Sequence, residues 1–299
     1  KVGRQKLALG NERFVGSVGW RQNEQTFDAI RYQTKLGNHL KLDYSFSNRV
    51  NRVFGSKSTQ GDWRSNIHLF DLNYAITQNQ QVSVYAYEMD FTEAPLQSNR
   101  TLGMDFKQQG QLGRYTYLWA AALASQQDIA DHPTSYRASY QNIEGQLSYQ
   151  SFQFGAGYER LGSDNGVGFT TPLATLHKFQ GFADKFLSTP ANGIEDKYLK
   201  LGYKLEQLEL IAFYHWLDAA EGDDVIVLKA PYLRRSYQTI KRALPNMFHY
   251  LTNPTIPATT NGIEGFFSHL KNHLDIHRGL TLSHRIGFIK WYVFLSNEK

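Results

Sequence analysis

The amino-acid sequence predicts a mainly β protein: an incomplete antiparallel outer-membrane β-barrel of about 10–12 strands, followed by a short α-helical tail. Three observations lead to this fold class. Apolar and polar residues alternate along one short segment after another, and tight polar turns alternate with long polar connections. Near residue 228 the sequence becomes basic and takes on helical spacing. The chain therefore divides into two predicted domains, a partial barrel over 1–228 and a helical fragment over 229–299.

The strands are predicted from a two-residue period, which places every second side chain on the same face of a strand. Leu40, Leu42, Tyr44 and Phe46 share one face, and the residues between them are polar. Alternation of this kind, with enrichment in aromatic and branched residues, predicts ten strands: residues 25–34, 40–46, 69–76, 81–91, 100–108, 114–125, 142–149, 151–158, 199–205 and 207–217.

The connections between these segments fall into two classes. Short polar turns are predicted at 35–38, 78–80, 109–111 and 206–207, and longer polar stretches at 47–64, 92–99, 126–136 and 160–193. Tight turns at one end and long loops at the other are typical of an outer-membrane barrel. A bilayer offers no hydrogen-bond partners, so spanning strands must pair with one another and turn alternate side chains to lipid.

A soluble antiparallel sheet, such as a sandwich or a β-helix, shows the same alternation with its apolar face turned inward. Two details favour the barrel. The opposite face is polar and carries charges of both signs, which suits a water-filled lumen. Aromatic residues also crowd the predicted strand ends, where an interfacial girdle is expected: Tyr85, Tyr87, Phe91, Tyr115, Tyr117, Trp119, Tyr214 and Trp216.

Composition excludes several other classes. The 299 residues contain no cysteine, so disulfides, zinc-thiolate sites and cysteine nucleophiles are absent. No apolar run reaches the roughly 18 residues that a transmembrane helix needs. The nearest, Ile286–Leu295, is short and is interrupted by Lys290. A helical membrane protein is thereby excluded.

Blocks of sequence over about residues 1–225 resemble the alginate-export family of bacterial outer-membrane porins. In the family's order, the blocks are Gly3–Leu7, Leu9–Gly10, Arg13–Gly16, Trp20–Gln22, Thr26–Asp28, Ala183–Leu187, Thr189–Pro190, Gly193–Tyr198 and Leu201–Lys204. The resemblance implies a monomeric barrel of about 18 strands that passes an anionic polysaccharide or small solutes through a charged lumen. It also implies that the family's leader, first strands and closing strand lie outside this sequence.

The resemblance makes six basic residues candidates for the substrate pathway in the lumen: Arg4, Arg13, Arg21, Arg31, Lys41 and Lys200. A guanidinium fork matches a sugar carboxylate, and fixed charges in a narrow pore select ions by sign. Alternatively, these side chains pair with Asp28, Asp43 and Glu195 and only neutralise a polar interior.

The segment after residue 228 differs in charge and period, with 10 lysines and arginines against 3 acids. Leu233, Tyr237, Ile240 and Leu244 are spaced for one face of a helix. A second helix is expected after Asn261, and a last amphipathic helix is expected to begin near Thr281 or Ser283 and run through Trp291 and Phe294.

The run from Asn253 through Lys271, with His277–Leu280, resembles the C-terminal end of DDE-type insertion-sequence transposases. The resemblance implies that Glu264 matches the third acidic, metal-binding position. Glu264 also lies three residues after Asn261, where it completes a capping box, and we favour that structural role. His269, His273 and His277 are spaced for one helical face, but a solvated basic face is the preferred interpretation.

Together these observations predict a channel fragment with a non-functional transposase remnant, and no enzyme, catalytic residue, metal or cofactor. The expected partners are outer-membrane lipid and an anionic polysaccharide or small solute. Nucleic acid is not an expected partner of this fragment. The chain is expected to be a monomer in the bacterial outer membrane. Two alternatives stay open: a transposase-derived protein that binds or cleaves DNA, and a soluble β-sheet protein that binds sugars.

Overall fold

The computed structural model describes residues 1–19, 23–55, 58–183, 185–205, 208–222, 270 and 282–297. Contacts divide the chain into two compact units, Lys1–Val227 and Leu228–Lys299. Arg21, the predicted helices at 233–244 and after Asn261, and Glu264 lie outside the described residues. The identities given to the two domains from sequence stay predictions.

Within the described residues of the first unit, eleven antiparallel strands form one sheet in sequence order. They are β1 (Val2–Gln5), β2 (Thr26–Leu36), β3 (Leu40–Asn51), β4 (Asp62–Thr77), β5 (Gln80–Phe91), β6 (Asn99–Leu112), β7 (Tyr115–Asp128), β8 (Arg137–Tyr149), β9 (Phe152–Leu161), β12 (Ile194–Leu205) and β13 (Leu208–Asp218). A separate ribbon joins β10 (Ser163–Asp164) to β11 (Val167–Gly168). The predicted fold class and all ten predicted strands are confirmed, while β1 and the ribbon were not predicted.

The connections alternate between the two ends of the sheet. Residues 37–39, 78–79, 113–114 and 150–151 make tight turns, whereas 6–25, 52–61, 92–98, 129–136 and 162–193 make longer connections. Two predicted boundaries were wrong because polar residues continue the hydrogen-bonded ladder. The expected turn at 109–111 lies inside β6, and the expected loop at 47–64 contains the paired residues Asn51 and Asp62.

The outward face of the sheet is apolar and exposed. Its large side chains are about half exposed, as shown by Ile143 at 56%, Phe154 at 51% and Leu201 at 52%. The alternate positions on the same strands are Glu144, Gly155 and Lys200, and these belong to the inward face. The predicted apolar alternation therefore faces away from the interior of the molecule.

The aromatic girdle was predicted only in part. Tyr115, Trp119, Tyr214 and Trp216 are exposed on the outward face as expected. Tyr85, Tyr87 and Phe91 instead point inward and are 6%, 3% and 1% exposed. Their girdle assignment was wrong because the inward face of β4 and β5 becomes apolar toward the long connections, where other parts of the chain cover it.

The core lies between the inward face of the sheet and two of the long connections. One apolar cluster joins Phe27, Trp63 and Ile67 of the strands to Leu7 and Leu173 of the connections. A second cluster centres on Phe169, which packs with residues of β8, β9, β12 and β13. The structure thus places its core inside the curve of the sheet and leaves the outer wall uncovered.

The second unit contains a described helix, α1 (Leu282–Asn297), which confirms the predicted short C-terminal helix. The expected amphipathic character was wrong, because the apolar residues of this helix are spread around its axis. Ile286 is 46% exposed and Trp291 is 65% exposed. Among the described residues, no helix is both long and apolar enough to span a bilayer.

Candidate functional site

The inward face is partly covered by a plug, defined here as residues 7–18 and 169–180. The first segment follows β1 and the second follows β11, yet the two segments are hydrogen bonded to each other. Gly16 donates its N–H to the Leu173 carbonyl at 2.8 Å, and Thr175 donates its N–H to the Glu12 carbonyl at 3.1 Å. Val15 and Leu173 also form a parallel β-bridge. The two segments therefore hold each other over the wall.

Phe14 shows how the plug sits in the curve of the sheet. Its ring centroid lies 5.5 Å from that of Tyr85 on β5 and 5.2 Å from that of Tyr140 on β8. Phe169, from the other plug segment, lies 5.8 Å away. Strands three positions apart in a flat sheet are too widely separated to touch one ring, so these contacts show that the inward face is concave.

A buried polar network fastens the plug to the wall. Arg13 and Glu159 are 4% and 5% exposed, and the Arg13 Nε lies 2.7 Å from Glu159 Oε1. Gln180 accepts a hydrogen bond from Arg13 Nη2 at 3.1 Å and donates from its amide to Glu159 and to Asp196. Tyr140 donates its hydroxyl to Glu159 at 2.8 Å. The first plug segment thus contributes Arg13 and the second contributes Gln180 to a network with two carboxylates of the wall, Glu159 and Asp196.

The same network extends to the last strand of the sheet. His215 on β13 places its Nδ1 2.9 Å from Asp196 Oδ1 on β12. Buried carboxylates are costly unless they are paired and hydrogen bonded. Glu159 meets that condition through Arg13, Tyr140 and Gln180, and Asp196 is hydrogen bonded by Gln180 and His215, so the plug and the wall are stabilised together.

Below the plug lies a cavity of about 690 Å³. Its lining includes charged side chains of both signs, Glu144, Glu159, Asp196, Lys178 and Lys200, and the imidazoles of His177 and His215. A space of this size with mixed charge fits hydrated small solutes better than a purely apolar ligand.

Two wall contacts shape the floor of the cavity. Tyr198 donates its hydroxyl to Glu144 at 2.8 Å, and Lys200 donates from Nζ to Gln146 at 2.7 Å. Both contacts pass over β9, where Gly157 leaves room: a Cβ there would lie 2.3 Å from the Tyr198 ring. The glycine therefore lets the Tyr198 ring lie flat across the strand.

The predicted lumen residues fall into different environments. Lys200 lines the cavity, and Lys41 is exposed on the inward face of β3. Arg31 is also inward, but its Nε donates to Asp43 Oδ1 at 2.9 Å. Arg13 belongs to the buried network. Arg31 pairs with Asp43, one of the acids that the structural alternative named, and Arg13 pairs with Glu159, which it did not name. Lys41 and Lys200 lie on the inward face, and their role in a lumen stays a prediction.

Arg4 is placed on the opposite face from the cavity. It pairs across strands with Asp28, and its Nε lies 2.7 Å from Asp28 Oδ1 on the outward side. We therefore correct the assignment of Arg4 to the lumen. The physical reason is register: Arg4 is aligned with Asp28, and neighbouring residues on paired strands share a face.

Sequence reasoning missed most of the polar residues that line the cavity. Glu144 lies on the polar face predicted for its strand, so the two-residue period was a signal that could have found it. Gln180 and His177 come from a long connection, and no spacing in the sequence indicates that they reach the wall. Among the described residues, no group of three or more potential ligands is arranged to hold a metal ion.

Comparison with solved structures places the fold among outer-membrane porin barrels. OccK5 (OpdH) of Pseudomonas aeruginosa matches with a TM-score of 0.59 and 14% identity, over 74% of this chain and 62% of that one. OprD of the same organism matches with a TM-score of 0.54 and 13% identity, over 72% of this chain and 54% of that one. OccD3 (OpdP) matches with a TM-score of 0.52 and 11% identity, over 72% and 53% respectively.

The chain therefore spans less than two thirds of the length of each of these porins. No protein-family model and no curated protein matches it. The likeness confirms the barrel class. The alginate-export family and the transposase fusion, which were inferred from sequence blocks, stay predictions.

Proposed function

We propose that the first unit, Lys1–Val227, forms part of the wall of an outer-membrane channel for small hydrated solutes, and that it has no catalytic activity. The observation that carries the proposal is the distribution of side chains across the sheet. Large apolar residues are exposed on the outward face, while charged residues and the cavity that they line occupy the inward face. Contiguous exposed apolar surface of this kind is unfavourable in water and favourable against lipid.

The inward charges argue for a weakly selective channel. Acidic and basic residues are interspersed there, and several are already neutralised, as in the pairs Arg31–Asp43 and Arg13–Glu159. A pore that holds a polyanion needs a surplus of basic groups that are free to bind it. We therefore restrict the proposal to small solutes, and the predicted passage of an anionic polysaccharide remains a separate hypothesis.

Reconstitution of the full chain into planar lipid bilayers tests the channel. We expect stepwise ion currents, a reversal potential close to zero in a salt gradient, and slower migration of the heated protein on a gel. A chain that stays soluble and monodisperse without detergent, and that gives no current, would refute the proposal and favour a soluble sheet protein that binds sugars.

Two finer predictions are tested in the same preparation. Polymannuronate added to one side of the bilayer should not block the current more than neutral dextran of equal size, and a selective block would revive the polysaccharide hypothesis. Light scattering in detergent should give the mass of one chain, because we propose a monomer.

The second unit is proposed to be a transposase remnant without activity. Glu264 is the only residue matched to a metal-binding position, and it lies outside the described residues. Incubation of the full chain with Mg²⁺ and DNA substrates should give no strand cleavage. Metal-dependent cleavage that disappears in a Glu264→Gln variant would overturn this part of the proposal.

A further inference from the structure

The long connections of the first unit enclose a second cavity, of about 410 Å³, apart from the one below the plug. It lies between Arg52, Gln60 and Trp63 on one side and residues 93–97, 170–172, 176 and 187–189 on the other. Apolar side chains such as Leu96, Leu176 and Leu187 form part of its lining, and Thr170, Thr171 and Thr189 supply hydroxyl groups. One cation, Arg52, belongs to this lining.

The Arg52 guanidinium packs against two aromatic rings. Its Cζ lies 3.8 Å from the centroid of the Trp63 ring and 5.0 Å from that of Phe54. Stacking of this kind fixes the plane of the guanidinium and leaves its edge to make hydrogen bonds. The side chain therefore presents an oriented fork rather than a mobile charge.

The hydrogen bonds of Arg52 are incomplete. One Nη donates to Gln60 at 3.1 Å, and the other reaches the Pro172 carbonyl at 3.5 Å. The Nε is buried and has no hydrogen-bond partner among the described residues. Burial lowers the pKa of Arg52 to about 10, so the group is still charged at neutral pH.

Two carboxylates in this region of the chain are engaged by other arginines. Glu93, which also lines the cavity, accepts hydrogen bonds from the Arg64 N–H at 2.7 Å and the Arg64 Nε at 2.5 Å. Asp62 lies 3.3 Å from Arg49. Arg52 therefore forms no ion pair within the described part of the chain, although a buried charge without a counter-charge is costly.

We propose that this cavity binds the oxyanion group of a small solute, a carboxylate or a phosphate, through the Arg52 fork. The oxyanion would accept from the two Nη groups, the end-on bidentate geometry of a guanidinium fork, because the Nε is buried. Thr170 and Thr189 already donate their hydroxyl hydrogens to Gln126 and to the Phe169 carbonyl, which leaves the Thr171 hydroxyl as the further donor among the three threonines. Binding at this site is separate from conduction, so the proposal stands or falls independently of the channel.

Ligand-observed NMR titration of the full chain in detergent tests the site. The probes are acetate and methyl phosphate, at an ionic strength kept constant with chloride, and the tighter of the two identifies the ligand class. We expect saturable binding with a Kd of roughly 1 mM. Absence of saturable binding of both probes up to roughly 100 mM would overturn the proposal.

Three variants locate the binding. Arg52→Gln should weaken it at least tenfold and Arg52→Lys at least threefold, since lysine keeps the charge but loses the fork. Arg114→Gln, in the exposed tight turn between β6 and β7, is the matched control and should stay within twofold of wild type. Equal affinity in wild type and Arg52→Gln would refute the site. If Arg52→Gln does not fold, as judged by heat-modifiable migration, an unchanged Kd in Arg52→Lys refutes it equally.

Discussion

Replacement of Arg13 by methionine should separate the plug from the wall. Methionine keeps much of the length and volume of the side chain but removes the charge. Glu159 is 5% exposed and would keep hydrogen bonds from Tyr140 and Gln180. It would nevertheless lose its only ion pair within the described residues, with a 2.7 Å contact between Nε and Oε1.

The magnitude follows from burial. Removing one partner of a buried ion pair leaves an uncompensated charge and costs about 3–5 kcal/mol. The pair Arg100–Glu88 offers a matched control, because its side chains are 44% and 43% exposed. Arg100→Met should therefore change the free energy of unfolding by about 0–1 kcal/mol.

The assay is urea unfolding of the chain in lipid vesicles, followed by tryptophan fluorescence. The double variant Arg13→Met with Glu159→Gln should recover part of the loss, because it removes the buried charge as well as its partner. A loss below about 1 kcal/mol in Arg13→Met, equal to that of the Arg100 control, would refute the assignment of this network as the fastening of the plug.

Three other substitutions, one of them with a matched control, test the wall. Gly157→Ala places a Cβ against the Tyr198 ring and should lower the free energy of unfolding by about 1–3 kcal/mol in the same assay. Gly145→Ala is the control, since a Cβ at Gly145 has nothing within 4 Å, and it should lower the free energy of unfolding by less than about 1 kcal/mol. Equal losses in the two variants would contradict the close packing at Gly157. Leu201→Arg places a charge on the outward face and should lower the free energy of unfolding by about 2–4 kcal/mol if that face meets the bilayer centre. An unchanged free energy of unfolding in vesicles would argue against lipid contact. Lys200→Glu should shift the reversal potential in bilayers toward cation selectivity with little change in stability, and an unshifted potential would remove the cavity from the conduction path.

Much of the strand architecture could be predicted because it depends on local periodicity. The alternation of Leu40, Leu42, Tyr44 and Phe46 predicted both the strand and the residues that share its face. Where polar residues prolong a strand, as at Asn51, the pattern weakens and the predicted boundary falls short. Edge strand β1 has only four residues, which is too short for a periodic signal.

The candidate site was predicted less well, for a physical reason. A two-residue period shows which side chains share a face of a strand, but it does not show which face other parts of the chain cover. Tyr85 and Tyr87 were therefore assigned to the membrane interface, although the plug buries them. The pairing of Arg13 with Glu159 joins residues 146 positions apart. No local pattern encodes such a contact, because it depends on the curvature of the whole sheet.

The sequence by itself determined the class of the protein: antiparallel strands with one apolar and one polar side, joined by tight turns at one end and long connections at the other. Only the tertiary structure decided that two of those connections fold back into the concave face. The folding of these connections onto the sheet positions Glu159, Asp196, the cavity and the Arg52 cation. The physical reason is that packing between distant segments sets where each of these groups lies, and local sequence preference does not.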